Sequence, residues 1–309
     1  MTINLPDLAA YRQEILQKGG SYPLRIVPVP EKGLLQDLPS APGDKTGWIW
    51  TKQTDPGLYR GRSEWPKLTI VTPSYNQVDF IEETIRSVLL QNYPNLEYIV
   101  MDGGSTDGSA AIIKKYARWI SYWQSEKDGG QSNAINSGFS LASGEYHAWI
   151  NSDDYYLEGV FNKVIRRFVS SGASFIYGYV LNFDTAGQKF KLIQTYPLID
   201  YLIRLPTLAQ PSCFWSTAIH QPLWEELHCS LDYELWLRMV KGNKRKLIKE
   251  PLSVANIHPG AKTSNADMGE VWIHDHELIC SKEAHGPVDN WNTLVKIKKL
   301  IGPIVKLLA

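Results

Sequence analysis

Lys67-Leu68-Thr69-Ile70-Val71-Thr72-Pro73-Ser74-Tyr75-Asn76 is the stretch from which the rest of the chain can be read. Leu68 to Thr72 is an apolar, β-branched run, as a buried strand requires, and Pro73 ends it because proline has no N–H to give a ladder. Downstream, Ile81, Ile85, Val88 and Leu89 recur at helical spacing. Glu82 and Glu83 stand early in that helix, where its dipole favours anions. Leu96 to Met101 is a second strand that stops at Asp102-Gly103-Gly104-Ser105. The pattern repeats: a helix over 110–116, a strand over 120–124, a helix over 132–141, and a strand over 146–150 that stops at Asn151-Ser152-Asp153-Asp154. Strands alternating with helices specify an α/β fold, a Rossmann-like, mainly parallel sheet flanked by helices.

Outward from this core the texture loosens. Residues 1–65 carry recurrent Pro and Gly (Pro28, Pro30, Pro39, Pro42, Gly43, Gly47, Pro56, Gly57) and form an N-terminal extension packed on the main domain. Gly47-Trp48-Ile49-Trp50 is its sticky spot and reads as a clasp. The main domain spans 66–265, with a first half over 66–155 and a less regular second half over 156–265. In the second half, 175–181, 190–196 and 246–254 read as strands and 157–168 and 232–239 as helices, so a mixed sheet is expected there. Residues 266–309 form a C-terminal helical segment.

Composition limits the function. Lys+Arg and Asp+Glu both number 32 in 309 residues, so nothing in the overall charge draws the chain to nucleic acid. Cys213, Cys229 and Cys280 are odd in number and far apart, which argues for buried reduced thiols over a disulfide framework or a zinc site. Residues 1–20 lack the apolar core of a signal peptide, and no apolar run is long enough to span a bilayer, so a cytoplasmic location is expected. The 11 tryptophans suit core packing and also suit platforms for sugar rings.

In an open parallel sheet, ligands bind beyond the carboxyl ends of the strands. Three such ends carry polar clusters, and a real sheet brings all three to one edge. Pro73-Ser74-Tyr75-Asn76 offers a flat ring and short donors for a nucleobase, although a plain turn would look the same. It has none of the glycine spacing of a dinucleotide fingerprint or a P-loop. Asp102 could accept hydrogen bonds from a base imide or a ribose hydroxyl, and Gly103-Gly104 lets the chain turn sharply. Asp153 and Asp154 follow an apolar strand, where paired carboxylates are costly unless they bind something. Their oxygens suit Mg2+ or Mn2+, and the competing use is a turn or an N-cap for the helix over 157–168. Asp232 opens Asp232-Tyr233-Glu234-Leu235-Trp236-Leu237-Arg238, where a carboxylate at a helix N-terminus stays ionised and could take a proton; an N-cap is the competing role. His258 could complete a metal site or pack structurally, and Lys262 and Ser264 follow it in a loop suited to phosphate oxygens.

Together these pieces resemble glycosyltransferase family 2, which has the GT-A fold, over about Lys67 to Ser264. The resemblance rests on Val71-Thr72-Pro73-Ser74-Tyr75-Asn76-Gln77 and Asp102-Gly103-Gly104-Ser105-Thr106-Asp107-Gly108. It also rests on the spaced set Asp128, Gly130, Ala134, Asn136 and Gly138, on Gly144-Glu145, on Asn151-Ser152-Asp153-Asp154 and on the run from Asp232 to Arg238. It implies that 66–155 binds a nucleotide-sugar donor, usually a uridine one, and that 156–265 receives the acceptor. Pro73, Ser74, Tyr75, Asn76 and Asp102 would line the nucleoside, and Asp128 would lie in the loop enclosing the donor. Asn151-Ser152-Asp153 matches the family's DXD motif, with Asp153 the direct ligand of Mn2+ or Mg2+ and His258 near the metal or diphosphate. Asp232 matches the general base. Two departures stand out: Asn151 replaces the first Asp of the motif, and Leu231 precedes the base where many members have Glu.

The implied reaction is an inverting hexosyl transfer to a hydroxyl of a glycan or lipid-linked acceptor, as in polysaccharide or cell-surface glycan synthesis. The rivals are a non-catalytic nucleotide-sugar-binding module, which would lack a base, and a nucleotidyltransferase, which would want a Gly-rich basic loop after the first strand. In 291–309, Trp291, Leu294, Ile297, Ile301, Val305 and Leu308 interleave with Lys296, Lys298, Lys299 and Lys306. Such a basic amphipathic helix suits peripheral contact with the inner face of a membrane, or packing on the domain.

Overall fold

The structure is a computed structural model that describes residues 3–62, 64–195, 208–262 and 266–281, together with 296, 299, 300 and 304. Within these, nine strands form one sheet in the order β3-β2-β1-β4-β8-β6-β9-β5, with β7 paired to β6.

The first half follows the pattern set by its apolar runs. Strand β1 (Leu68–Ser74) is buried along its whole length and lies between β2 (Leu96–Asp102) and β4 (Tyr146–Trp149), parallel to both. Strand β3 (Tyr122–Ser125) adds in parallel outside β2. β1 continues one residue past Pro73 because of the way its peptide groups face. The Val71 carbonyl accepts from Ile150, on the β4 side, and the Ser74 carbonyl accepts from Gly103, on the β2 side. Pro73 therefore faces β4 beyond its last paired residue, where no ladder N–H is needed. Helix α2 (Ile81–Leu89) buries Ile81, Ile85, Val88 and Leu89, the face that the helical spacing specifies. Helices α3 (Ser109–Tyr116) and α4 (Gln131–Ser140) complete the layers.

The second half is mixed. Strand β6 (Phe175–Asp184) runs parallel to β9 (Arg245–Ile257), while β8 (Cys213–Ser216) joins the halves by pairing antiparallel with both β4 and β6. The hairpin partner β7 covers Lys189–Ile193, so the expected strand over 190–196 is shorter, and Tyr196 lies outside the described residues. Helix α5 is Val160–Ser171, not 157–168: Gly159, in the left-handed region (φ 74°), breaks the chain just before it. The Asn151–Asp154 cluster is therefore not an N-cap; it leads into the two-residue strand β5 (Tyr155–Tyr156), paired with β9.

Of the ten tryptophans among the described residues seven are buried, Trp149, Trp215 and Trp236 among them, so their main use here is core packing. Cys213, Cys229 and Cys280 form no disulfide; the first two are buried as expected, whereas Cys280 is only half-buried. In the extension, α1 (Leu8–Gln17) packs on α4. The Trp48 Nε1 donates to the Tyr156 carbonyl at 2.7 Å. Beyond α7 (Gly269–Ile279), the amphipathic segment 291–309 lies outside the described residues apart from Lys296, Lys299, Leu300 and Ile304. Among the described residues no helix is long and apolar enough to cross a membrane.

Candidate active site

Because β1, β2 and β4 are parallel, their polar ends share one edge. Ser74 is the registered partner of Asp102, and Val71 that of Trp149, two residues before Asn151. At the β1 end, Tyr75 is 62% exposed, a free ring face at the rim. Ser74 Oγ is buried with no hydrogen-bond partner in the protein. Asn76 is committed to the loop: it holds a left-handed φ of 51°, its N–H donates to Ser105 Oγ, and its Oδ1 accepts from the Thr106 N–H. Asp102 is buried and accepts from Ser105 N–H, Ser105 Oγ and Ser125 Oγ at 2.6–2.9 Å. Asp128 folds back on the same turn, so close that a Cβ on Gly103 would lie 3.0 Å from its carboxylate. Burial first, and the neighbouring Asp102 charge after it, push the Asp128 carboxyl up. Two close carboxylates are a good acceptor for the hydroxyls of a diol.

At the β4 end the two adjacent acids separate. Asp154 turns inward, where its Oδ1 accepts from the Asn256 N–H, and burial followed by the Asp153 charge hold its carboxyl well above the usual range. Its part is structural. Asp153 turns the other way, with Oδ2 3.2 Å from His258 Nε2, and the His258 ring stacks on Phe80 at 4.5 Å. Pairing of β5 with β9 produces this juxtaposition, since it sets Asp153 beside the residues that follow Ile257. The Ser152 side chain is buried and its carbonyl accepts from Thr84 Oγ1.

Asp232 lies in the first turn of α6 (Leu231–Met239), two residues past the N-cap Ser230, so it is not the cap. One turn on, Trp236 stacks on Trp149 with ring centroids 5.5 Å apart, which turns that helix face toward the β4 end. Cys213, at the start of β8, feels the Asp232 charge, which agrees with this placement. Burial pushes the Asp232 carboxyl up to about 6, against backbone N–H groups that favour the charged form. Desolvation exceeds the effect of the helix terminus, so the carboxylate is more basic than an exposed aspartate while still ionised at neutral pH.

Four residues that the sequence did not single out for these roles tie the acids together. Lys262 Nζ donates to Gln131 Oε1 and to the His228 carbonyl, and Gln131 Nε2 donates to Asn151 Oδ1. A polar chain thus runs from the loop before α6 to the motif after β4. Asp275, on α7, accepts from the N–H groups of His228, Cys229 and Ser230 through one oxygen, which holds that loop. Asn256 Nδ2 donates to the Asp153 carbonyl. Only Lys262 had a signal, as a cation near His258; Ser264 lies outside the described residues.

The mixed, mostly parallel sheet with acids gathered at its carboxyl edge is the GT-A fold of glycosyltransferases. The profile of Glycosyl transferase family 2 matches residues 69–233, and the chain belongs to that family. An uncharacterised glycosyltransferase of Rickettsia typhi is 30% identical over 232 residues, 70% of this chain and 71% of the relative. A Bacillus subtilis protein named as a teichuronic acid biosynthesis glycosyltransferase, TuaG, is 34% identical over 120 residues, 38% of this chain and 48% of its own. Among solved structures, S. aureus TarS 1-349 in complex with UDP-GlcNAc shares the fold with a TM-score of 0.56, at 20% identity over 70% of this chain and 67% of that one. The mannosyltransferase PcManGT from Pyrobaculum calidifontis, in complex with GDP-Man and Mn2+, does so with a TM-score of 0.54, at 15% identity over 83% of this chain and 73% of that one.

Proposed function

We propose that this glycosyltransferase moves a hexose from a nucleotide diphosphate sugar, UDP-linked, onto a hydroxyl acceptor in polysaccharide or cell-surface glycan synthesis, with inversion at the sugar carbon. The observation that carries the reading is the tie between the loop that leads into α6 and Asn151, through Lys262 and Gln131, together with the Trp149–Trp236 stack one helical turn past Asp232. A base and a diphosphate-binding edge held against each other are what a single displacement needs. The relative named for teichuronic acid biosynthesis and the neighbour bound to UDP-GlcNAc favour this acceptor class and donor.

In this mechanism Tyr75 stacks on the base, the Ser74 hydroxyl finds its partner there, and Asp102 and Asp128 accept from the ribose. Asp232 takes the proton from the acceptor hydroxyl as that oxygen attacks the face opposite the diphosphate. Asp153 and His258 fit a divalent cation: a carboxylate oxygen and an imidazole nitrogen stand side by side. Among the described residues no third Asp, Glu, His or Cys joins them, which suits Mn2+ or Mg2+ sharing its shell with substrate phosphates. When bound, the ion neutralises charge on the departing diphosphate.

Incubation with a panel of UDP- and GDP-sugars, Mn2+ and candidate acceptors, followed by nucleotide release, tests the reading. Asp232→Asn is expected to retain donor binding and lose transfer by roughly 10²-fold or more. Asp153→Ala is expected to abolish the increase in nucleotide affinity that Mn2+ gives the parent. Nucleotide monophosphate transfer in place of sugar transfer, or ordinary turnover by Asp232→Asn, refutes it.

A further inference from the structure

A groove of about 1050 Å3 lies away from the acid-lined edge. It lies between α5 and the first half of β9, Arg245 to Glu250. From Lys246 to Ile257, next to His258, a strand covers ~35 Å at about 3.3 Å per residue, so the groove is at the opposite end of the sheet. Its walls are basic. Lys163, Arg166 and Arg167 come from α5, Lys246 and Lys249 from β9, and Arg62 from the extension. Arg245 lines it as well, with Nη1 donating to the Val240 and Asn243 carbonyls. The single acid in the lining is Glu250, which pairs with Lys163. In a chain with equal numbers of acids and bases, this is a strong local excess of positive charge.

Arg167, Lys246 and Lys249 are exposed, and among the described residues none of the three pairs with a carboxylate. Part of the charge has an ordinary use. This half of β9 is paired with β6 on one side, while β5 pairs only with Ser253 and Val254 on the other, and lysines discourage such an edge from pairing with another chain. Edge protection needs charges on the strand alone. It does not explain Arg167 on the facing helix, and Arg166 and Arg62, which lie over the Trp65 ring, add their charge to the same wall. Cations converging from three separate segments on a concave surface raise the local concentration of anions. The concavity also favours a chain that can lie in it over a flat bilayer.

We propose that this groove is a second binding site, separate from the transfer site, for an anionic glycan: a linear saccharide chain bearing repeated carboxylate or phosphate groups. The experiment uses the full chain and fluorescently labelled polygalacturonate at 50 mM salt, with linear polyphosphate as the sugar-free source of the same charge. Saturable polygalacturonate binding is expected, weakening as salt rises to 200 mM. The triple variant Arg167→Gln/Lys246→Gln/Lys249→Gln should bind at least about tenfold more weakly. Its melting temperature should match the parent's, and the transfer-edge variant Asp153→Ala should bind the polymer as the parent does. The proposal is overturned by absent polygalacturonate binding, by polyphosphate binding alone, or by equal affinity in the triple variant. Tighter binding to phosphatidylglycerol vesicles or to single-stranded poly(U), lost in the triple variant, would reassign the groove to a membrane or to RNA and equally overturn it.

Discussion

At Asp232 two local forces oppose one another. The first turn of α6 supplies backbone N–H groups that favour the carboxylate, and burial disfavours it more, leaving the group to titrate at about 6. A base in that range is ionised at neutral pH yet more basic than an exposed aspartate, which suits proton removal from a hydroxyl. The rate of transfer, as kcat/KM, should therefore fall below pH 6 along a single-proton limb; a profile flat down to pH 5 would contradict the role. The same shift bears on stability. The folded pKa lies above the ordinary value of 3.8, so the native state binds more protons between these values, and stability falls as pH rises through about 6. Asp232→Asn should thus raise stability at pH 8 by about 1–2 kcal/mol, after allowance for its partial exposure, and by less at pH 5. Thermal melts at the two pH values check this; an equal change at both would mean that the carboxylate is well solvated.

Among the elements, α4 depends on how closely it approaches the sheet. A Cβ on Gly138 would lie 2.6 Å from Val71 Cγ1 in β1, and the strand backbone is fixed on both sides by β2 and β4. Gly138→Ala should destabilise the fold by about 1–3 kcal/mol, read as a lower urea midpoint with an unchanged slope. A neutral result would show that α4 can slide outward freely. The elements of this half were legible because each strand is an apolar run closed by polar residues, and each helix repeats at its own period. β8 was not, since Cys213–Ser216 is four residues without alternation and takes its partners from β4 and β6. The site divides in the same way. Asp102, Asp153 and Asp232 announce themselves by following a strand or opening a helix, whereas Gln131 and Asp275 act through partners 20 and more than 40 residues away. Asn136, one of the spaced residues of the resemblance, exchanges hydrogen bonds with Leu223 and so joins the two halves.

For the molecule as a whole, Arg86 decides whether the extension is part of the fold. It sits on α2, 1% exposed, and its guanidinium donates to the carbonyls of Pro39, Ile49 and Trp50 and to the Tyr116 hydroxyl at 2.5–3.1 Å. Trp50 stacks against the same guanidinium, with its ring centroid 5.2 Å away. Three carbonyls of the extension thus have one donor in the main domain, and a planar fork is the group that can reach them together. Arg86→Met keeps the apolar stem but leaves these acceptors without partners, at a cost of about 3 kcal/mol or more. Arg86→Lys should recover only a fraction, because an ammonium at the end of a flexible stem cannot meet all three. The loss should be local before it is global: trypsin is expected to cut at Lys45 or Lys52 in Arg86→Met under conditions where the parent is intact, while the sheet stays folded by circular dichroism. Equal resistance of the two proteins would mean that the other contacts of the extension, α1 on α4 and the Trp48–Trp50 packing among them, retain it, and that the buried charge contributes nothing to holding it.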